Sequence, residues 1–304
     1  MGKTKKIQSP LPMRFGVSAS RVWLPKDDNN EWKTILAFLI SRFPFIGEEI
    51  LKERLSRGDI VDQTGREFSD SCPYEEEIFL FYYREIPNEP PIPFKEKILF
   101  KDDHIIVVDK PHFLPVTPTG RFVRESLLAR LKHQYQCEDI SPIHRLDRET
   151  AGVVMFTCNK ADRGAYQSLF QKRRVHKAYE AIASRSDLAF PLTHKSRIVK
   201  SDPFFIMQEV EGEINAETTI DILETNATQA KYLLKPVTGK QHQLRVHMMS
   251  LGIPILHDPF YPKLLPCKGE DYSLPLQLLA KFISFTDPLS NEVRSFESEQ
   301  SLQL

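Results

Sequence analysis

Four prolines crowd into nine residues, Glu85-Ile86-Pro87-Asn88-Glu89-Pro90-Pro91-Ile92-Pro93. Each proline fixes its own φ and removes a backbone donor, so the stretch can be neither a helix interior nor a central strand. It reads as a stiff connector with a break near Pro90. The 304-residue chain is therefore expected to divide into an irregular lead-in (1–30), a small α+β domain (31–89) and a larger domain (90–304) that can bury a sizeable core.

Charge gives no hint of a partner, because 41 Lys and Arg balance 41 Asp and Glu. Any basic surface must be local. Cys72, Cys137, Cys158 and Cys267 are widely spaced with no Cys-x-x-Cys pair, which argues against a zinc site or a disulfide framework and for a reduced, cytoplasmic protein. The basic start, Met1-Gly2-Lys3-Thr4-Lys5-Lys6, leads to prolines rather than to a signal core, and no run is apolar enough to span a membrane.

In the small domain, Trp32, Ile35, Leu36, Leu39, Ile40 and Phe43 recur at helical spacing. A second helix is expected around Ile50, Leu51 and Leu55, followed by strands at Ile60–Val61 and Glu77–Tyr83. Beyond the connector, Ile105–Val108 reads as a buried strand ended by Lys110-Pro111, and Val123, Leu127, Leu128, Leu131 and Tyr135 line an amphipathic helix. Val153–Cys158 reads as a central strand, with Asn159 or Asp162 capping a helix from Ala161 to about Lys172. Residues 186–230 read as variable strands and loops without chemistry. A strand at Tyr232–Val237, a helix closed by Gly252, and a terminal hairpin, Leu276–Phe285 with Val293–Phe296, complete the pattern.

The chemistry concentrates in Pro142-Ile143-His144-Arg145-Leu146-Asp147-Arg148-Glu149-Thr150-Ala151-Gly152, a polar segment that runs directly into Val153-Val154-Met155-Phe156. An acid set among guanidinium groups is held ionised, which suits a nucleophile or base. An isolated Arg-x-Asp-Arg is more often a surface ion-pair cluster, so the wider pattern has to decide. His-Arg-Leu-Asp-Arg-x-Thr-x-Gly entering an apolar strand resembles the catalytic motif of the RluA-type pseudouridine synthases. In the expected order follow Asp109-Lys110-Pro111 upstream, Lys177-Ala178-Tyr179-Glu180-Ala181, and Thr238-Gly239-Lys240-Gln241-His242-Gln243-Leu244-Arg245-Val246-His247 continued by Leu251-Gly252-Ile253-Pro254-Ile255 and then by Asp258 and Tyr261. The resemblance covers about residues 98–297. Two short helices, Arg57-Gly58-Asp59-Ile60-Val61 and then strands are similar, more loosely, to the S4-type RNA-binding domain that often precedes such cores.

The resemblance implies an α+β fold: a mixed, mainly antiparallel central sheet with flanking helices and a central cleft. It implies an isomerase that breaks the glycosidic bond of a uridine, turns the uracil and rejoins it through C5, a redox-neutral reaction needing no cofactor and no metal. Asp147 would be the catalytic carboxylate and Arg245 its buried ion-pair partner. Tyr179 would stack on the flipped base and take the C5 proton late. Arg145 would fill the space the base leaves, and Leu244, His144 and Leu146 would line the substrate. The implied partner is structured RNA, ribosomal or transfer, bound by a monomer, with the cations of Gln171–Lys177 as phosphate contacts. Ala151, Leu244, Leu279, Asp287 and Pro262 depart from the usual family residues, which bears on substrate preference.

Two other classes compete with this expectation. A catalytically silent RNA-binding or assembly factor on the same fold is opposed by the presence of Asp147, Tyr179 and Arg245. A nucleoside hydrolase generally wants a second acid, and no paired carboxylate motif lies near Asp147. His242 and His247 are five positions apart rather than four, which disfavours a metal held by this helix.

Overall fold

The computed structural model describes residues 8–84, 86, 88–266 and 269–304. The basic run Met1–Lys6, Glu85 and Pro87 of the connector, and Cys267 lie outside the described residues. The chain forms two compact units, Met1–Glu89 with Lys132–Glu138, and Pro90–Leu131 with Asp139–Leu304.

In the first unit, β1 (Ser20–Leu24), β2 (Ile60–Asp62) and β3 (Ile78–Tyr82) form an antiparallel sheet in the order β1-β3-β2, beside α1 (Ile35–Arg42) and α2 (Glu48–Ser56). The lead-in, expected to be irregular, thus contributes a strand. Val22 and Leu24 point inward and Arg21 and Trp23 outward, an alternation too short to stand out without its partner β3. α1 starts at Ile35 rather than Trp32, because Thr34 caps it by accepting from the Ala37 amide at 3.1 Å. Trp32 instead packs edge-on against Phe38, their ring centroids 5.1 Å apart.

The second unit holds β4 (Lys97–Lys101), β5 (Ile105–Lys110), β6 (Ser141–Pro142), β7 (Ala151–Thr157), β8 (Val175–Ser184), β9 (Leu192–Lys200), β10 (Met207–Val210), β11 (Ala216–Thr225), β12 (Gln229–Pro236), β13 (Leu278–Thr286) and β14 (Val293–Glu297). They build an eleven-stranded sheet in the order β10-β9-β11-β12-β8-β13-β7-β5-β4, with β14 on β13 and β6 on β7. Every pairing is antiparallel except β13 with β7, which run parallel at Leu279↔Ala151 and Ala280↔Gly152. The helices are α3 (Leu127–Tyr135), α4 (Arg163–Gln171) and α5 (Gln243–Ser250); the last turn of α3 is counted with the first unit. α3 begins at Leu127, so Val123 is buried ahead of it rather than on it. Asp162 stands at the N-cap of α4 without capping it, because its carboxylate accepts from Asn159 Nδ2 and meets His104 Nδ1 at 2.8 Å.

β7 is buried at all seven positions. Covering Val153, Val154, Met155 and Phe156 contributes roughly 1.5–3 kcal/mol each, so this strand is the fixed floor from which the polar segment before it is displayed. Where β7 starts, Gly152 has φ +109° and lies so close to β13 that a Cβ would stand 2.2 Å from the Ala280 carbonyl oxygen. Only glycine admits both the backbone angle and the approach.

Candidate active site

Asp147 sits in the loop between β6 and β7, and the loop is stapled from below. Lys110, at the end of β5 and fully buried, donates from Nζ to the carbonyls of Pro111 (2.9 Å), Leu114 (2.8 Å) and Arg148 (3.1 Å). Burial pushes the Lys110 ammonium down to about 7. The three acceptors favour the charged form, since a neutral amine would set its lone pair against one of them. His112 Nδ1 meets the Glu149 carbonyl at 2.7 Å, and Arg148 Nε donates to the Phe113 carbonyl at 3.1 Å. The Asp147 carbonyl accepts from Thr150 N, closing the turn.

Arg245 reaches this loop from α5. Its residue is 1% exposed, and its guanidinium serves two acids. Nε and Nη2 hold Asp258 in a fork, at 2.8 and 2.6 Å, while Nη1 donates to Asp147 Oδ2 at 3.0 Å. Phe260 and Tyr261 lie 4.8 and 5.4 Å from the guanidinium carbon. Burial opposes charge on Arg245, but the two carboxylates outweigh it and hold its pKa above the ordinary arginine value. Burial likewise acts to raise the Asp147 pKa; Arg245, then His242 and Lys110, outweigh it and hold the carboxyl below the usual carboxylate range. Asp147 Oδ1 carries no hydrogen bond among the described residues, and the side chain is 27% exposed.

His242 completes the acid's surroundings. Its Nε2 is 3.8 Å from Asp147 Oδ2, and its Nδ1 is 3.0 Å from the Tyr261 hydroxyl. That hydroxyl donates to the Met207 carbonyl, so it accepts from His242 Nδ1–H. Burial lowers the His242 pKa, against the pull of the neighbouring Asp147 carboxylate. The turn before α5 is set by Gln243, whose Oε1 accepts from Thr238 Oγ1 (2.7 Å) and Lys240 N (3.0 Å) while Nε2 donates to the Glu217 carbonyl (3.0 Å) and Thr218 Oγ1 (2.9 Å).

Asp147, Arg245, Tyr179, Arg145, Leu244, His144 and Leu146 all line one cleft of about 1050 Å³ in the second unit. Tyr179, half-buried on β8, packs against the same apolar cluster as Leu244. Burial, and then the Asp147 charge, push the phenol far above its ordinary pKa, so Tyr179 is neutral. Arg145 is exposed on the cleft wall without an ion-pair partner among the described residues. His144 is less available than the motif suggests, since its Nε2 accepts from the Met155 amide (3.2 Å) and its ring stacks on Phe170 at 4.6 Å. Burial drives its pKa down to about 3. Among the described residues Asp147 is the only acid lining the cleft, against Arg145, Arg148, Arg173, Lys177, Lys240 and Arg245.

Two side chains in contact with the Asp147–Arg245 pair escape the sequence reading. Asp258 holds Arg245 from the far side, and His242 faces the acid. Each is a letter in a motif, but nothing local shows which charge it meets. Asp258 also bears on the hydrolase alternative: a second acid stands near Asp147, yet both its oxygens are committed to Arg245, with Oδ1 also accepting the Phe260 and Tyr261 amides.

The profile of the RNA pseudouridylate synthase family matches residues 104–250. The dual-specificity RNA pseudouridine synthase RluA of Vibrio vulnificus is 35% identical over 225 residues, covering 68% of this chain and 84% of that one. The chain belongs to the RluA-type RNA pseudouridine synthases. Human pseudouridylate synthase RPUSD2 is 30% identical over 198 residues, which is 62% of this chain but 35% of that protein, so the chain matches about a third of its length. Among solved structures, human RNA pseudouridylate synthase domain containing 4 superposes with a TM-score of 0.53 at 28% identity, over 67% of this chain and 88% of that one. In this RluA-type chain the mainly antiparallel sheet and its flanking helices form the α+β fold that the motifs imply.

Proposed function

We propose that the protein isomerises uridine to pseudouridine in structured RNA, ribosomal or transfer, with Asp147 acting at the junction of ribose and base. The observation that carries this reading is one carboxylate held ionised through a single oxygen by a buried arginine, in a cleft whose other charged lining residues among those described are cations. An ionised, partly desolvated carboxylate is a competent nucleophile or base. The chemistry breaks C1′–N1, forms C1′–C5, releases the C5 proton and returns one to N1. No electrons leave the substrate, and no cofactor is invoked.

A stacked uridine has to leave its helix to reach Asp147. Arg145, exposed and without an ion-pair partner among the described residues, fits the space vacated by the base, and its flat cation stacks on the neighbours. Leu244 and the Tyr179 ring fit the two sides of the uracil, with His144 and Leu146 shaping the wall. The neutral Tyr179 phenol favours stacking over proton acceptance in the free enzyme, because accepting a proton needs the phenolate that burial and Asp147 oppose. Arg173, Lys177 and Lys240 contact phosphates. The first unit serves as an S4-like RNA-binding domain, and the enzyme works as a cytoplasmic monomer.

RNA carrying tritium at uridine C5 tests the reading. The protein is expected to release tritium to water, with the product nucleoside co-migrating with pseudouridine. RNA binding without release from any cellular RNA pool would establish the silent factor instead, and free uracil would establish a hydrolase. Pseudouridine mapping in cells with and without the gene identifies the position modified.

A further inference from the structure

On the β9–β10 hairpin, outside the cleft, three side chains converge that the RNA chemistry does not use. His194 comes from β9, Glu209 from β10 and His247 from α5. His194 Nε2 is 2.9 Å from Glu209 Oε1, His247 Nε2 is 3.9 Å from the same oxygen, and one ligating atom from each residue lies within 4.8 Å of the others. Four ligands about 2.0–2.1 Å from a tetrahedral zinc stand roughly 3.3 Å apart. The present spacings bracket that value, and rotamer adjustments of the two half-exposed side chains close the difference.

The buried member is oriented for the task. His247 is fully buried, and its Nδ1 is 2.9 Å from Thr218 Oγ1, which also accepts from Gln243 Nε2. The Thr218 hydroxyl holds the ring from its Nδ1 side with the Nε2 edge toward Glu209, the kind of outer-shell support usual for metal-binding imidazoles. Ser196 Oγ also meets Nε2, at 3.1 Å. The side chains of His194 and Glu209 are 22% and 21% exposed, which gives an ion an entry path and a solvent-facing fourth position.

We propose that His194, Glu209 and His247 form a binding site for a divalent transition ion, zinc foremost, that clamps the β9–β10 hairpin to α5. Two imidazoles and one carboxylate suit zinc better than magnesium or calcium, which take mainly oxygen ligands. His247 lies two residues after Arg245 on α5, so the ion would fasten the helix that holds the acid's partner. None of the three ligands lines the cleft, and binding does not depend on RNA isomerisation.

The test uses the full chain without an affinity tag, stripped by chelator and titrated with zinc chloride alone. One tight zinc per chain is expected by elemental analysis, with a melting temperature raised by several degrees. Cobalt in its place should give the intense visible bands of a tetrahedral site. His194→Ala and Glu209→Gln change half-exposed side chains and should leave the metal-free melting temperature in place. Each should weaken zinc affinity at least tenfold and abolish the cobalt bands. Stoichiometric zinc unaffected by both variants, or no binding below millimolar zinc, would overturn the proposal and leave a hydrogen-bonded His–Glu pair.

Discussion

Two loops present a carboxylate to the same guanidinium, and they treat it differently. Between β13 and α5, Asp258 has a fully buried side chain, matches the arginine fork with both oxygens and accepts two backbone amides. Between β6 and β7, Asp147 offers one oxygen and leaves the other without a hydrogen-bond partner among the described residues. The fully satisfied acid is a counter-charge that makes a buried Arg245 tolerable. The half-satisfied acid borrows that charge and retains an oxygen with no hydrogen bond among the described residues, which is what the proposed chemistry asks of it. Two carboxylates on one arginine leave the trio with a net negative charge, which fits an electron-pair donor among surrounding cations.

The contrast is broken most severely by exchanging Asp147→Asn for Asp258→Asn. Asp147→Asn should lower turnover by about 10⁴-fold or more, as loss of an essential nucleophile does, while circular dichroism shows an intact fold. A variant retaining a tenth of wild-type tritium release would remove Asp147 from the chemistry. Asp258→Asn should act on the fold first, because a buried guanidinium loses its main partner. A loss of about 3–5 kcal/mol is expected in urea unfolding. A melting curve like that of the wild type would show that Asp147 alone suffices for Arg245.

How far these roles were legible follows the range of the interactions. Asp147, Tyr179 and Arg245 stand in contiguous motifs, so residue type and neighbours were enough to pick them. Asp258 was read only as part of a motif, since its role depends on the path of residues 251–257 after α5. His194 and Glu209 fell in a stretch read as chemically empty. They meet only because β10 folds back on β9 at Met207↔Lys200, a pairing no local periodicity specifies. The β1 strand was missed for the same reason. Helix bodies in the second unit were legible from periodicity, and their ends shifted where a side chain such as the Asp162 carboxylate found a tertiary partner.

Smaller effects sharpen the comparison. Arg145→Ala removes an exposed cation with no ion-pair partner among the described residues, so the melting temperature should hold while kcat/KM falls about tenfold to hundredfold, the worth of one lost base stack. An unchanged kcat/KM would place the flipped-base neighbourhood elsewhere. The smallest effect is in acid. Because the folded pKa of Asp147 lies below its unfolded value, the stability from its ion pair is complete above the ordinary carboxylate pKa of 3.8 and is lost as pH falls through the folded value. The difference in melting temperature between wild type and Asp147→Asn should therefore be constant near neutrality and shrink below about pH 4. A difference independent of pH would mean that Arg245 does not favour the charged form.

The meeting of Gly152 with Ala280 has a consequence for the order in which a ribosome makes this molecule. The acid's loop is anchored to a strand translated more than a hundred residues later, and that strand also completes the sheet beside β8. While the C-terminal strand is still inside the exit tunnel, the loop has its Lys110, His112 and Arg148 bonds but not the β13 side of its seat. A nascent chain halted before residue 278 would carry Asp147, Tyr179 and Arg245 on a sheet that still lacks the strand between β7 and β8.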